Sequence, residues 1–358
     1  MYSESDLQSA IKAGAISQSA ADALRSHVSS VNATPHVDEE HFRLITGFND
    51  IFVSIAAVIL LVAMGWIGHS MNNALAGVFV AATAWGLAEY FTRQRHMALP
   101  SILLLLAFVG GVFGSMVGFL TEYGVLLFGA AIEHRLGAVL IAVIALITAG
   151  AAWLHWRRFM VPITIAAGAA AVAGTIVALI IAIIGDPAGM ETILLMLMLA
   201  VGLALFAFAM RWDISDRSRE TRRSDVAFWL HLLAAPLITH ALFALIGVSD
   251  GGQIGAATAV GVVAVYIVLG LVAIAVDRRA MLVSALAYVL FALTFLFRQF
   301  GAVELNVALT ALVIGSALLC LSAFWTPIRI KVVAMLPDSI STKLPLVGGG
   351  VATLQPAS

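Results

Sequence analysis

From about residue 50 the chain alternates between long apolar runs and short polar breaks. Taking about 20 mostly apolar residues as enough to cross a hydrocarbon core, ten runs qualify: about 50–68, 74–92, 98–120, 135–156, 160–185, 189–211, 225–247, 254–276, 280–298 and 303–325. None alternates with a period of two. Inside lipid every backbone N–H and C=O must find a partner locally, so such runs predict helices and not barrel strands. The short breaks predict antiparallel neighbours and one compact body over 49–330. The expected fold is an all-α integral membrane protein of about ten transmembrane helices, with a small N-terminal helical hairpin and linker over 1–48. One further apolar run, Val125–Ile132, is too short to span and predicts an interfacial or re-entrant helix within 121–134.

The N-terminal segment reads as two short helices. Ser5–Asp6–Leu7–Gln8 fits a capping box, and Gly14 stops the helix that follows it. Ser17 can cap the second helix, whose apolar side is Ala20, Ala21, Leu24 and Val28. So short a hairpin cannot bury a core of its own and must dock on another surface. The segment lacks the charged start, short apolar core and small-residue cleavage site of a signal peptide, so it is expected to be retained. The tail over 331–358 contains Pro337, Pro345, Pro356 and Gly348–Gly350, which predicts irregular structure.

The breaks differ in charge. Every second one is basic: Arg93 and Arg95, Arg157 and Arg158, Arg211 through Arg223, Arg278 and Arg279, Arg329 and Lys331. The others carry Glu122, Glu133, Asp186, Glu191, Asp250 and Glu304, with Arg135 and Arg298 as their basic residues. Basic loops stay in the cytoplasm, so this alternation predicts cytoplasmic termini. Trp153, Trp156, Trp212, Trp229 and Trp325 fall near the same ends and are expected to anchor in the headgroup layer.

Composition agrees. The hydrophobic share is 62%, the charged share 11% and the mean hydropathy +1.04, far from the roughly 25% charged residues of a soluble domain. A net charge of −1 argues against a nucleic-acid partner. Cys320 is the only cysteine, which excludes an internal disulfide and a thiolate zinc site. No HExxH or Walker A pattern occurs, so neither an enzyme nor an ATP-driven pump is expected, and no metal or cofactor.

Leu7, Ile11, Gly14, Ile16, Ser17, Ala21 and Leu24, followed by a hydrophilic stretch and many spans, resemble the start of uncharacterised bacterial membrane proteins of the DUF2157 type. The segments 42–50 and 88–93 look like those of proteobacterial membrane proteins. The resemblance covers about 25 residues and the general layout. It implies a multi-pass protein of the bacterial inner membrane, and it transfers no site residues.

Polar groups at membrane depth are costly and mark function by default. Span seven collects the most: Asp225, His231, Pro236, Thr239 and His240. Pro236 removes a backbone hydrogen bond near mid-span and predicts a broken helix, the device by which many carriers build a site. The two histidines are nine residues apart, about 900° of helix, and are expected on opposite faces. Glu89 precedes Arg93 by four residues in the favourable order for an ion pair. His69, Asn72 and Asn73 crowd one outer loop, and His155 lies among Trp153, Trp156 and Arg157 as an interface cluster. Small-residue stripes at Gly110, Gly114 and Gly118, and at Ala166, Ala170, Gly174 and Ala178, predict close helix packing within the chain or against a second copy.

Two functional readings follow. In the first the chain is a secondary carrier of a small solute, with its site at the Pro236 break and with His231, His240 and Glu89 handling protons. Ten spans with both ends inside resemble the layout of drug/metabolite-type carriers, and 50–185 and 189–325 are nearly equal halves, though no motif repeats between them. In the second it is a non-catalytic membrane scaffold, sensor or assembly factor. Besides the bilayer, its partner would be another protein or a second copy, met through the N-terminal hairpin or the glycine stripes. A wet polar cavity beside span seven separates the two readings: the carrier needs one and the scaffold does not.

Overall fold

A computed structural model describes residues 11–14, 16–23, 48–128, 134–187, 189–219, 221–247, 255–299 and 306–346. The chain divides into two units, Met1–His41 with Leu346–Ser358, and Phe42–Pro345. In the first, Gly14 takes a left-handed backbone (φ +69°) after the helical residues 11–12. Ser17 Oγ then accepts from Ala20 N at 3.1 Å and opens a helical stretch at 18–23. Both local expectations hold. The capping box at 5–8, Leu24 and Val28 lie outside the described residues, as do the tail glycines and Pro356.

All the regular structure among the second unit's described residues is helical. In order it contains α1 (Phe48–Met71), α2 (Asn73–Phe91), α3 (Ala98–Phe128), α4 (His134–Phe159), α5 (Ile163–Ile184) and α6 (Met190–Ser215). Then come α7 (Arg222–Leu245), α8 (Ala256–Val276), α9 (Ala280–Gln299), α10 (Asn306–Ala323), α11 (Trp325–Ala334) and α12 (Asp338–Ser341). Eight helices, α1 to α8, are long and apolar enough to cross a membrane, which makes the chain a multi-pass helical membrane protein. The expected ninth span falls on α9, whose apolar stretch is Leu282–Phe297. The tenth falls on α10, which is bent by 76° from α11 and counts as a span only with it.

Three expectations are corrected. No separate interfacial helix begins at Val125: α3 runs unbroken to Phe128, because nothing in 121–128 stops a helix already under way. Residues 129–133, with Glu133, lie outside the described residues, as do Asp250 and Glu304. The tail expected to be irregular from 331 is helical in α11 and α12. The Leu344 and Pro345 carbonyls accept from Arg217 Nε and Arg329 Nη2, both at 2.8 Å. Thirdly, α7 is not broken. It runs as one helix through Pro236, which stands on the exposed side, while packing of the buried face against α5, α6 and α9 holds the helix across the one missing backbone bond.

Small residues set the closest helix contacts. A side chain at Gly77 of α2 would collide with the backbone of Gly111 and Ser115 in α3, and one at Gly118 with Asn73. The packed stripe on α3 is therefore Gly111–Ser115–Gly118. Gly110 and Gly114 of the expected stripe face open space. Across the α4–α5 contact, a Cβ added at Gly168 would meet Ala152 at 3.6 Å and one at Gly174 would meet Ala145 at 3.9 Å, so both positions have room for a methyl group. On α6, Gly202 lets Ile238 of α7 come close.

Candidate functional site

Helix α7 buries more of its length than any of the other seven candidate spans. Ala227, Leu230, His231, Ala234, Ala235, Ile238 and Thr239 are buried at the i, i+3, i+4 spacing of one wide helical face. His231 is on that face and is 1% exposed. Its Nε2 lies 2.8 Å from Oδ2 of Asp213, near the end of α6, which is itself fully buried. The other carboxylate oxygen, Oδ1, accepts from Arg278 Nη2 at 2.6 Å, and the same nitrogen donates to the Ser224 carbonyl at 3.1 Å. One carboxylate thus joins the end of α6, the His231 turn of α7 and the turn after α8, and Arg278 ties the start of α7 to the same group.

A second carboxylate extends the cluster. Asp277 caps α8 in a left-handed conformation, φ 65°. Its Oδ2 accepts from Arg219 Nη1 at 3.0 Å, and its Oδ1 from Trp325 Nε1 at 2.8 Å. Arg329 Nε lies 3.4 Å from the same Oδ1. Arg219 also donates through Nη2 to the carbonyls of Val276 and Asp277, at 3.2 Å each. Asp216 holds the chain just before α7: its Oδ2 accepts from the Thr221 hydroxyl at 2.6 Å and from the Thr221 amide at 3.0 Å. Burial is the largest influence on the two titrating groups outside the spans. It pushes the Asp277 carboxyl above its ordinary range and draws the Arg219 guanidinium below its own.

The network gathers residues that the sequence offers only as loop charges. Asp213, Arg219, Asp277, Arg278 and Arg329 all lie in or beside the basic breaks, where a sequence reading treats them as solvated. The signal that finds them is the carboxylates: Asp213, Asp216 and Asp277 sit inside otherwise basic breaks. Trp325, expected as a headgroup anchor, is 4% exposed and spends its indole N–H on Asp277.

The other expected residues are dispersed. His240 is on the opposite side of α7 from His231, as the 900° separation requires, and its Nδ1 lies 2.6 Å from the Tyr288 hydroxyl of α9. The Thr239 hydroxyl is buried without a hydrogen-bond partner among the described residues. Asp225 is half-buried and bonds to no described residue. Glu89 meets Arg93 at 3.3 Å, as expected, but its stronger contact is with Arg158 of α4, two bonds of 2.7 and 2.8 Å. The structure does not join Glu89 to the α7 residues, so the six sequence candidates form no single site.

Two other clusters also resolve. His155 does not face the interface. It is fully buried beside Trp85, Phe108 and Phe159, with Nδ1 3.4 Å from the Thr164 hydroxyl, whereas Arg157 and Trp153 stack outside. Asn72 caps α2 through Ala74 N at 2.8 Å and donates to the Tyr123 hydroxyl at 3.1 Å. Asn73 donates to Glu122 at 2.8 Å. That polar group therefore clips the start of α2 to the end of α3. No group of three or more metal-ligating side chains occurs among the described residues.

Fold and site together define a multi-pass helical membrane protein with a buried ion network at one end of its helices. The chain matches no protein-family model, no curated protein and no solved structure.

Proposed function

We propose that this chain is a bacterial inner-membrane protein of the DUF2157 type that crosses the bilayer ten times with both termini in the cytoplasm. In this reading it is neither an enzyme nor a carrier but a fixed scaffold, sensor or assembly factor. The observation that carries the reading is the state of α7: an unbroken helix, packed along its length, with its two histidines committed to Asp213 and Tyr288. A carrier moves one part of its body against another around a site near mid-membrane. Here α6, α7, α8 and α11 are pinned together through Asp213 and Asp277. The orientation draws support from the gathering of basic ends: Glu89–Arg158 joins α2 to α4, and the carboxylate network joins the ends of α6, α8 and α11.

The carrier reading keeps one specific observation in its favour. The Thr239 hydroxyl is buried and unpartnered among the described residues, one position from the His240–Tyr288 pair, and a substrate would give it a partner.

Single cysteines introduced after Cys320→Ala discriminate the two. A membrane-impermeant maleimide added to intact cells should label Asn73→Cys and Asp186→Cys, and should label Arg95→Cys only after permeabilisation. Ala235→Cys and Thr239→Cys should stay unlabelled until the protein is unfolded. Labelling of Thr239→Cys in the folded protein would reveal a water path beside α7 and replace the scaffold with the carrier.

A further inference from the structure

Helices α5 and α6 are consecutive yet hardly touch, and α4 packs closely on α5 but not on α6. The wedge between the three is an open groove of about 500 Å³. It is lined by small residues, among them Ala152, Gly168 and Ala204, and by the rings of Trp153, Trp156 and Phe208. Along α5 it extends from Thr164 to Ile176, about 18 Å at 1.5 Å per residue, close to the roughly 15 Å of one leaflet's hydrocarbon. At its Phe208 end a second pocket begins, lined by Phe208, Arg211, Trp212, Ser215 and Arg223. Arg211 and Arg223 are exposed, and their guanidiniums make no ion pair with described residues. They differ in this from Arg219 and Arg278 nearby, which are spent on Asp277 and Asp213.

We propose that this groove holds one acyl chain of an anionic glycerophospholipid whose headgroup rests on Arg211 and Arg223. The lining fixes the chemistry of the occupant: hydrocarbon for about one leaflet's depth, then an anion at the basic ends of the helices. The groove's length suits the hydrocarbon of one leaflet, and its open end meets two guanidiniums, a pairing that matches an acyl chain carrying an anionic headgroup. The two tryptophans add amphipathic rings at the level where the headgroup begins. The site is independent of the Asp213 network and of the choice between scaffold and carrier.

The test is native mass spectrometry on the full-length protein, titrated with phosphatidylglycerol or phosphatidylcholine of identical chains. Wild type should retain phosphatidylglycerol preferentially, by about five-fold for each guanidinium that meets the headgroup. Arg211→Gln with Arg223→Gln should abolish the preference and leave phosphatidylcholine binding unchanged. Ala204→Phe, at an exposed position that fills the groove, should weaken both lipids while the thermal midpoint shows the protein folded. Equal binding of the two lipids by wild type would overturn the proposal. So would a preference that survives the double substitution, or undiminished binding by Ala204→Phe. A photo-crosslinker at position 204 should capture lipid, and capture of a polypeptide instead would assign the groove to a protein partner and refute the lipid. Inorganic phosphate should not displace the bound phosphatidylglycerol; if it does, Arg211 and Arg223 bind free anions and the groove plays no part.

Discussion

Asp213 has left water without losing its bonds: His231 and Arg278 occupy its two oxygens, and no atom of its residue is exposed. Such a pair adds little net stability, because desolvation offsets the attraction, but breaking it leaves a bare buried charge at a cost of about 3–5 kcal/mol. Asp213→Leu should therefore destabilise the protein by that amount in a thermal or denaturant titration in detergent. Asp213→Leu with Arg278→Met should recover a large part of the loss, since no orphaned guanidinium remains. A double variant as unstable as the single one would mean that Arg278 has another anion to meet. This chemistry was hard to read from the sequence because a charge in a short loop looks the same whether it is solvated or folded inward. The difference is made by Asp277 turning the chain at φ 65° and by α11 laying Trp325 and Arg329 against it. His155 escaped for a related reason: its neighbours Trp153 and Arg157 do face outward, but each helical residue turns by about 100°, and His155 points to the core.

At the scale of elements, the apolar runs were legible because length and unbroken hydrophobicity suffice to predict a helix in lipid. Eight runs reappear as helices α1 to α8 at nearly the expected bounds. Which face of a helix packs was less legible. Gly110, Gly114 and Gly118 are the regular repeat in the sequence, yet the contact with α2 uses Gly111, Ser115 and Gly118. Repeats of four drift round a 3.6-residue helix, so a regular sequence stripe and a straight contact line diverge. Gly77→Val and Gly111→Val should each unfold or strongly destabilise the α2–α3 pair, because their side chains meet backbone that cannot yield. Gly110→Val should be close to neutral in the same thermal assay. Equal loss at Gly110 would place a second contact on the outer face of α3. Pro236 teaches the converse: a proline reads as a break, yet on the exposed side of a well-packed helix it is tolerated without one.

For the molecule as a whole, the two ends of the body are held differently. One end carries side-chain amide clips, Asn72–Tyr123 and Asn73–Glu122, and the other carries the carboxylate network with Glu89–Arg158. Part of the basic charge in these breaks is thus structural: Arg158, Arg219, Arg278 and Arg329 each bind a carboxylate of a neighbouring element. Charge alternation along the sequence foresaw which breaks belong together but not that they touch. In the proposed scaffold these clamps oppose the rocking that carriers use, and α7, the most buried of the candidate spans, is where motion or water would show first. Hydrogen–deuterium exchange of the full-length protein in lipid nanodiscs reads that helix directly. A fixed scaffold predicts uniformly slow exchange for the amides from Ala227 to Phe243, including those on both sides of Pro236. Fast exchange confined to residues 233–240, with the flanking turns protected, would expose a wet or opening segment and contradict the account.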